Sequence, residues 1–425
     1  MKINTDKSKS SDSKDRRRLK VLISAYACEP GKGSEPGVGW SFSVEMAKYH
    51  DVWVLTRSNN RRLIEEELRK NPVEGLYFIY HDLNKLICWW KKGGRGVQFY
   101  YNLWQLSAVS KLRKKHDELN FDLSHHVTFV KYWAPSCLAW LDIPFIWGPV
   151  GGGESLPPGF SKECSLKGRL YEWLRSLARF IAELDPTVNY TAKRANKIYV
   201  TTKQSAEKVK KIGGENVEEL FESGFSHTDI AQLSKIDFNS KTPLRFLSVG
   251  RLLDWKGFQL GLKAFALADI PNAEYWIFGD GPAHDKLVNL TKELKIDKLV
   301  KFWGMVDRSV VLEKLEKCHG LVHPSLHDSG GWVCLEAMAA GRPVICLDWG
   351  GPGFQVTDET GFKFYPTSPD LVVKELSAAM KNWVENVEFI HHKSIAARLR
   401  VKKNFTWSIK AEKLNDIYFE LVKSE

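Results

Sequence analysis

Two carboxylates flank a pair of adjacent glycines in the second half of the chain. Asp328 precedes Gly330 and Gly331, and Glu336 follows Asp328 by eight residues. The pattern predicts a helix that begins near Trp332, which puts Asp328 in the preceding loop and Glu336 about one turn inside the helix. The free N–H groups and the dipole at such a helix end favour a phosphate. The carboxylates could therefore bind hydroxyl groups of a ligand whose phosphates lie at the helix N-terminus.

This spacing alone favours a simpler interpretation, an ordinary loop with one exposed and one partly buried acid. Two cations favour a ligand site over this simpler interpretation. Arg251 and Lys256 follow a predicted strand, Leu244–Val249, and precede a predicted helix, so they should lie where ligands bind in open α/β sheets. A second glycine-rich loop, Asp348–Gly353, also follows a predicted strand. Cations at that edge can neutralise a diphosphate and stabilise the charge that develops as it leaves.

Short apolar runs alternate with amphipathic stretches along most of the chain, which predicts parallel strands covered by helices. A polar stretch, Ser234–Pro243, interrupts the alternation and is predicted to be a linker. We therefore predict an α/β protein with two tandem domains. The predicted parts are a basic disordered tail (1–18), an N-terminal domain (19–236), a C-terminal domain (245–404) and a terminal segment (405–425). One long helical stretch is predicted around residues 167–195.

Composition is typical of a folded globular protein, with 43% hydrophobic and 27% charged residues in 425. The formal net charge is +11, and the tail contributes much of it. Either a solubilising tail or an anionic partner explains that excess, and both interpretations stay open. We expect no signal peptide and no transmembrane helix, because long apolar runs are lacking. Seven scattered cysteines without a CxxC pair argue against a disulfide framework or a zinc site and favour a reducing compartment, the cytoplasm.

Four ordered motifs resemble those of a known family. They are Gly250-Arg251 with Lys256-Gly257, the loop Gly279–Pro282, Gly304 after Phe302, and the acid-x7-Glu motif that ends at Glu336. Together they are similar to the retaining glycosyltransferases of family 4, densely in the second half of the chain and more loosely in the first. The resemblance implies the GT-B fold: two Rossmann-like βαβ domains that face a central cleft, with a C-terminal helix that crosses back to the N-terminal domain.

The resemblance also assigns roles in the C-terminal domain. Arg251 and Lys256 match the residues that bind the donor diphosphate, and Glu336 matches the glutamate that binds the ribose. Asp328 stands near the donor sugar, where the family usually has Glu. The glycine pair Gly330–Gly331, Trp332 and Gly304 complete the predicted donor site, with backbone around Gly304 contacting the nucleobase.

In the N-terminal domain, the segment Cys28–Trp40 resembles the family's first glycine-rich loop, and Gly33 within it is predicted to face the donor. Asp122–His126 resembles the strand end with the active-site histidine. Here His125 and His126 are adjacent, whereas the family often separates its two histidines by one residue. Either could face the cleft, and we favour His126.

The predicted reaction moves a sugar from a nucleotide diphosphate sugar to an acceptor hydroxyl, with retention at the anomeric carbon. His126, His125, Asp328, Arg251 and Lys256 are the predicted catalytic residues. No metal and no cofactor are expected, because fixed cations stabilise the leaving group. By resemblance, the product belongs to surface polysaccharide or glycolipid biosynthesis.

The acceptor is predicted to be a glycan or a lipid-linked molecule. Residues 86–104 interleave aromatic side chains with Lys91, Lys92 and Arg95, a composition that suits an anionic membrane interface. Burial of these aromatics in the N-terminal core explains the same pattern, so peripheral membrane contact is one of two open interpretations. No nucleic-acid motif accompanies the segment, and no nucleic-acid partner is expected.

Other functions have less support in the sequence. A protein with a decayed site that binds nucleotide or glycan without catalysis is supported only by the Asp at position 328. A nicotinamide oxidoreductase would depend on Gly37-x-Gly39, which lacks the third glycine of the dinucleotide fingerprint. Phosphorylases of the same fold are far longer chains.

Overall fold

The computed structural model describes residues 17–84, 96–237 and 243–423. The predicted disordered tail therefore lies outside the described residues up to position 16. The same holds for positions 86–95 of the aromatic and basic segment and for 238–242 of the predicted linker.

Thirteen strands lie within the described residues and form two sheets, one of order β3-β2-β1-β4-β5-β6-β7 and one of order β10-β9-β8-β11-β12-β13. Neighbouring strands pair in parallel, as β1 does with β2 and β8 does with β9. The strands are β1 (Lys20–Ala25), β2 (Asp51–Arg57), β3 (Leu76–His81), β4 (Leu123–Thr128), β5 (Phe145–Val150), β6 (Lys197–Val200), β7 (Val217–Glu219), β8 (Leu244–Val249), β9 (Ala273–Phe278), β10 (Val300–Gly304), β11 (Gly320–His323), β12 (Val344–Leu347) and β13 (Gly361–Phe364).

Fifteen α-helices lie within the same described ranges and mostly connect consecutive strands, as parallel pairing requires. They are α1 (Ser34–Met46), α2 (Arg61–Lys70), α3 (Val97–Leu119), α4 (Leu166–Glu183), α5 (Pro186–Arg194), α6 (Lys203–Lys211), α7 (His227–Leu233), α8 (Phe258–Ala268), α9 (His284–Glu293), α10 (Arg308–Glu316), α11 (Trp332–Ala339), α12 (Gly350–Gln355), α13 (Pro369–Glu385), α14 (Val387–Asn404) and α15 (Trp407–Lys423).

The α/β class with parallel sheets is therefore confirmed. One difference concerns the long helical stretch predicted around 167–195, which is two helices. Asp185 caps α5 by accepting a hydrogen bond from the Thr187 N–H at 2.8 Å, and Pro186 occupies the first turn of α5. A cap followed by proline starts a new helix, and this separates α5 from α4.

Two compact units make up the chain. Of the described residues, unit 1 contains 17–84, 96–129, 136–146 and 413–423, and unit 2 contains 130–135, 147–237 and 243–412. The end of α15 thus packs in unit 1, where the Tyr418 Oη lies 2.6 Å from the His125 Nδ1. The predicted domain limits divide the chain at other positions, and they stay predictions.

The core of the six-stranded sheet buries its central strands. Every residue of β11 and β12 is buried, and α8 and α13 pack together over one face with Phe246, Tyr275 and Trp383 in the apolar cluster between them. Central parallel strands are covered on both faces, so their sequences are continuously apolar. Among the described residues, no helix is long and apolar enough to cross a membrane.

Candidate functional site

Two loops meet at the carboxyl ends of the neighbouring strands β8 and β11 in unit 2. The first contains a short 3-10 turn, Asp254–Lys256, and ends at Gly257 with φ +71°. A Cβ on Gly257 would lie 1.9 Å from the Pro324 carbonyl oxygen, so only glycine fits there. The Leu326 N–H then donates to the Trp255 carbonyl at 2.8 Å. This close approach places Lys256 beside the loop that follows β11.

The carboxylate of Asp328 is shared by three donors. Its Oδ2 lies 2.6 Å from the Lys256 Nζ and 3.0 Å from the His323 Nε2, and its Oδ1 accepts the Gly331 N–H at 2.9 Å. An ionised carboxylate only accepts hydrogen bonds, so the His323 Nε2 is the protonated nitrogen. Asp328 therefore fixes Lys256 against the start of α11.

The environment keeps Asp328 ionised. Burial alone would raise the pKa of this carboxyl group, but the charge of Lys256 and the hydrogen bond from His323 hold the pKa well below its usual range. The side chains of Lys256 and Asp328 are only 21% and 16% exposed. Lys256 has two further N–H groups, so it can contact an additional anion without releasing Asp328.

Glycines shape the loop that contains Asp328. Gly331 precedes α11 with φ +49°, and a Cβ on Gly350 would lie 2.2 Å from the Asp328 carbonyl oxygen. The Gly351 N–H donates to that same carbonyl at 2.8 Å. The glycine-rich loop after β12 therefore packs directly on the loop after β11, and α11 begins at Trp332, as predicted.

Glu336 lies inside α11 and is also held by neighbours. Its Oε1 is 2.5 Å from the Arg308 Nε and accepts the indole N–H of Trp332 at 3.0 Å. Burial raises the pKa of Glu336 despite these donors. The Trp332 ring stacks on Phe225 with centroids 4.4 Å apart. Trp332 therefore positions Glu336 from one side, and Arg308, whose side chain is 51% exposed, reaches it from solvent.

Arg251 borders a cavity of about 230 Å³ at the ends of β8 and β9. Most lining side chains are apolar, among them Val249, Phe278, Met305 and Val306. A planar heterocycle is the kind of ligand that such walls accommodate. The Gly304 carbonyl is occupied, because it accepts the Gly279 N–H at 2.8 Å. The residues that line the cavity after β10 are thus Met305 and Val306 rather than Gly304 itself.

A second cavity, of about 590 Å³, lies beside the glycine-rich loop after β12 in unit 2. Aromatic side chains (Trp349, Tyr365), carboxylates (Glu207, Glu219) and a lysine (Lys203) contribute to its wall. The Trp349 indole N–H donates to the Ser155 carbonyl at 2.9 Å, which fixes the orientation of that ring.

The two predicted catalytic histidines lie in β4 of unit 1 and are buried, with 0% and 1% of their surfaces exposed. The His126 Nε2 lies 2.9 Å from the Tyr101 Oη and 3.2 Å from the Gln105 Nε2. Burial and the neighbouring His125 lower the pKa of His126 to about 3, so its ring is neutral at physiological pH. Side chains of a strand in a sheet that is covered on both faces point into the packing layers. Exposure therefore does not support the catalytic role predicted for these histidines, which stays a prediction.

Gly33 lies in unit 1 as the residue that precedes α1. It is exposed, and a Cβ there would meet no atom within 4 Å. Its role in donor binding stays a prediction.

Sequence reasoning missed two residues of the site, His323 and Arg308. His323 is the last residue of β11, and a polar residue at the carboxyl end of a buried strand was an available signal. Arg308 begins α10 and meets Glu336 across 28 residues of sequence. No local pattern distinguishes it from a solvated surface arginine.

Metal and thiol chemistry have little support in the described ranges. Within residues 17–84, 96–237 and 243–423, no group of three or more His, Cys, Asp or Glu side chains could hold a metal ion. The six cysteines in those ranges are free and buried. Burial raises the pKa of the Cys164 thiol to about 11, which makes it a poor nucleophile.

Comparison with known proteins finds one family model that matches part of the chain. Residues 229–408 match the family described as glycosyl transferases group 1. The chain is 28% identical over 186 residues to a glycogen synthase of Mycobacterium tuberculosis, which covers 43% of this chain and 44% of that protein. It is 32% identical over 114 residues to the lipopolysaccharide core biosynthesis glycosyltransferase LpsD of Rhizobium meliloti, covering 27% of this chain and 32% of that one. The matched region thus spans less than half the length of these relatives.

Solved structures match over almost the whole chain. The crystal structure of HepE of Anabaena in complex with UDP has 18% identity and a TM-score of 0.59, and the match covers 96% of this chain and 100% of that one. At this identity the likeness shows the fold, and the predicted GT-B fold is confirmed.

Proposed function

We propose, on the premise that residues 229–408 belong to the glycosyl transferases group 1, that this protein transfers a sugar from a nucleotide diphosphate sugar to an acceptor hydroxyl. The observation with most weight is the Lys256–Asp328 pair at the start of α11. It combines a fixed cation, free helix N–H groups and an adjacent apolar cavity, which suit a diphosphate and a nucleobase.

In this proposal the nucleobase occupies the cavity bordered by Arg251, and the ribose hydroxyls meet Glu336. Lys256, Arg251 and the start of α11 contact the diphosphate. Asp328 acts as a positioning residue for Lys256, because its own oxygens already accept three donors. Arg308 orients Glu336 toward the ribose.

The reaction breaks the bond between the anomeric carbon and the diphosphate oxygen, and the electron pair leaves with the diphosphate. The acceptor oxygen forms the new bond to the anomeric carbon on the same face, and its proton moves to the leaving phosphate oxygen. Fixed cations stabilise the negative charge that develops, so the step is proposed to need no metal. Retention and membership of family 4 are part of this proposal.

The acceptor is proposed to be a sugar of a surface polysaccharide or glycolipid. The match to a lipopolysaccharide glycosyltransferase supports that class of product. The cavity of about 590 Å³ suits a sugar, because ring faces of Trp349 and Tyr365 can stack on it and Glu207 and Glu219 can accept its hydroxyl protons. Buried free thiols support a reducing, cytoplasmic location.

A direct test uses Lys256→Ala and Glu336→Ala. We expect Lys256→Ala to lower kcat about 10²–10³-fold, since it removes a charge that stabilises the leaving group. Glu336→Ala should raise KM for the donor at least tenfold, since the ribose contact exists before and during the reaction. Nucleotide release from each candidate sugar donor is the measurement.

Lys292→Ala is the matched control, because Lys292 is an exposed lysine at the end of α9 in the same sheet domain. Calorimetric titration with UDP, GDP and ADP selects the donor before turnover is measured. If both site variants keep wild-type turnover, the site assignment is wrong. If the wild type binds a nucleotide but releases none from any sugar donor, the protein is a binder with a decayed site.

A further inference from the structure

Helix α4 (Leu166–Glu183) turns its polar side toward the protein and its apolar side toward solvent. The buried positions are Gly168, Glu172, Arg179 and Glu183, which recur every four or seven residues on one face. Large apolar side chains occupy the opposite face; among them are Leu166, Leu170, Trp173, Leu174, Leu177 and Ile181. Leu166 is 80% exposed and Trp173 61% exposed. Surface helices of globular proteins show the reverse arrangement.

Specific partners hold part of the buried polar face, although the Arg179 Nε and Nη2 atoms have no hydrogen-bond partner among the described residues. The Glu183 carboxylate contacts the Lys208 Nζ at 3.0 Å and the Lys211 Nζ at 2.6 Å. The Arg179 guanidinium donates to the Glu154 carbonyl at 2.9 Å. Rotation of α4 would break these buried charge contacts, each of which is costly to leave unpaired. The exposed apolar face is therefore a fixed property of the folded chain.

Charge identifies what covers this face. The exposed charged residues of α4 are Lys167 and Arg169, whereas its acidic residues, Glu172 and Glu183, are buried. A second copy of the chain would present the same cations and no exposed carboxylate from this helix. An anionic lipid surface offers both the apolar interior and the negative charge, and Trp173 suits the interfacial region.

We propose that α4 is an in-plane anchor that docks this protein on an anionic lipid bilayer. Eighteen residues at about 1.5 Å rise give a helix about 27 Å long, which lies along the interface with its apolar side in the acyl boundary. The cations of its first turn contact lipid headgroups.

The anchor is joined directly to the candidate donor site. The Ser165 hydroxyl and N–H, which begin α4, both donate to the Asp254 Oδ2, at 2.5 and 2.9 Å. The Tyr171 ring stacks on Trp255 with centroids 5.4 Å apart and planes 8° apart. Trp255 directly precedes Lys256. A docked α4 thus holds the Lys256 loop at the lipid–water interface, where a lipid-linked acceptor would lie; this last step depends on the proposed function.

Vesicle flotation of the full chain tests the docking, with phosphatidylcholine vesicles and vesicles that contain 30% phosphatidylglycerol in parallel. We expect the wild type to float with the anionic vesicles and at least tenfold less with the neutral ones. The variant Leu170→Ser/Leu174→Ser/Leu177→Ser removes three exposed apolar side chains. The fraction of this variant that floats with the anionic vesicles should be at least tenfold lower than that of the wild type. Lys167→Glu/Arg169→Glu should lose the preference for anionic lipid.

The matched control is Val387→Ser/Ile395→Ser/Leu399→Ser, which removes three similarly exposed apolar residues from α14. It should float like the wild type. Flotation of the α4 triple variant at wild-type level overturns the proposal. Loss of flotation in a Trp89→Ser/Trp90→Ser variant, with flotation kept in the α4 triple variant, also overturns the proposal.

Two further outcomes separate the alternatives. Light scattering without lipid that shows a wild-type dimer and a monomeric α4 variant would assign the face to a second copy and overturn lipid docking. Nucleotide release from a soluble donor should be equal in the wild type and the α4 variant. Absence of that release with intact flotation would contradict the proposed function and leave the anchor in place.

Discussion

At the residue scale, the candidate site is built around one carboxylate that contacts three neighbouring donors. Asp328 was predicted near the donor sugar, because it stands where related proteins usually have Glu. In the structure its oxygens accept from Lys256, His323 and the Gly331 N–H, and its place near the donor sugar stays a prediction. The sequence indicated that Asp328 and Lys256 belong to one site, but not that they form a pair. Seventy-two residues separate them, and only the packing of two strand ends brings them together.

The variant Asp328→Asn tests how much this carboxylate contributes. The amide has nearly the same shape but no charge, so the contacts with Lys256 and His323 weaken. We expect the free energy of unfolding at pH 7 to fall by about 1.5–3 kcal/mol, the usual contribution of hydrogen bonds to a charged group. Urea denaturation of the two proteins measures the difference.

Asp285→Asn provides the comparison. Asp285 lies 2.9 Å from His284, but its side chain is 98% exposed, so its removal should change stability by a few tenths of a kcal/mol at most. Equal effects of the two substitutions would show that the Asp328 contacts do not stabilise the fold.

At the scale of elements, strand ends and glycine turns were the most predictable features. The apolar runs predicted β8 and the strand before the loop Asp348–Gly353, which is β12, and the glycine pair predicted where α11 begins. The orientation of α4 was not predictable in this way. Its apolar periodicity predicts a helix whose apolar side packs inward. The structure reverses this because the buried Arg179 and Glu183 contact groups 25 residues away in the sequence, which no local pattern shows.

Gly257→Ala tests the turn that positions Lys256. Gly257 is left-handed, which costs an L-residue about 1–2 kcal/mol, and the added Cβ would meet the Pro324 carbonyl at 1.9 Å. The loop must shift to relieve that contact. We therefore expect a fall in the free energy of unfolding of more than about 2 kcal/mol, together with a loss of nucleotide diphosphate affinity in calorimetry.

Gly159→Ala separates backbone strain from the clash. Gly159 is also left-handed, with φ +85°, but a Cβ there would meet no atom within 4 Å. This variant should lose only the strain of the backbone and keep its nucleotide affinity. The explanation based on close packing fails if both alanine variants lose the same stability and the same affinity.

At the scale of the whole molecule, the class and order of elements followed from alternating sequence patterns. Which side chains are buried could not be predicted from those patterns, because burial depends on how the helix and sheet layers assemble. His125 and His126 illustrate this, because the family resemblance predicts that one of them faces the cleft, and the sequence could not show that both are buried in the sheet. Lys410 illustrates it too. Lysine is usually exposed, yet Lys410 of α15 is buried and donates to the carbonyls of Phe221 and Ser223.

Lys410 should make stability depend on pH in a defined direction. Burial lowers the pKa of Lys410 from 10.5 to about 7 in the folded chain. Between these values the unfolded chain binds more protons than the folded one, so the free energy of unfolding rises with pH. One such group contributes at most about 1.4 kcal/mol per pH unit. We expect the difference between the wild type and Lys410→Met to change by about 2 kcal/mol from pH 7 to pH 9.

The difference between the two proteins is the informative quantity, because other groups titrate in the same window. Burial raises the pKa of several thiols, among them Cys137 and Cys318, both to about 12. Thiols that ionise only in the unfolded chain lower the free energy of unfolding above pH 8.5, opposite to the effect of Lys410. This background is common to the wild type, Lys410→Met and the exposed control Lys292→Met. Urea denaturation at four pH values from 6.5 to 9 therefore isolates Lys410, and parallel curves for the wild type and Lys410→Met would show that its ammonium group keeps an ordinary pKa.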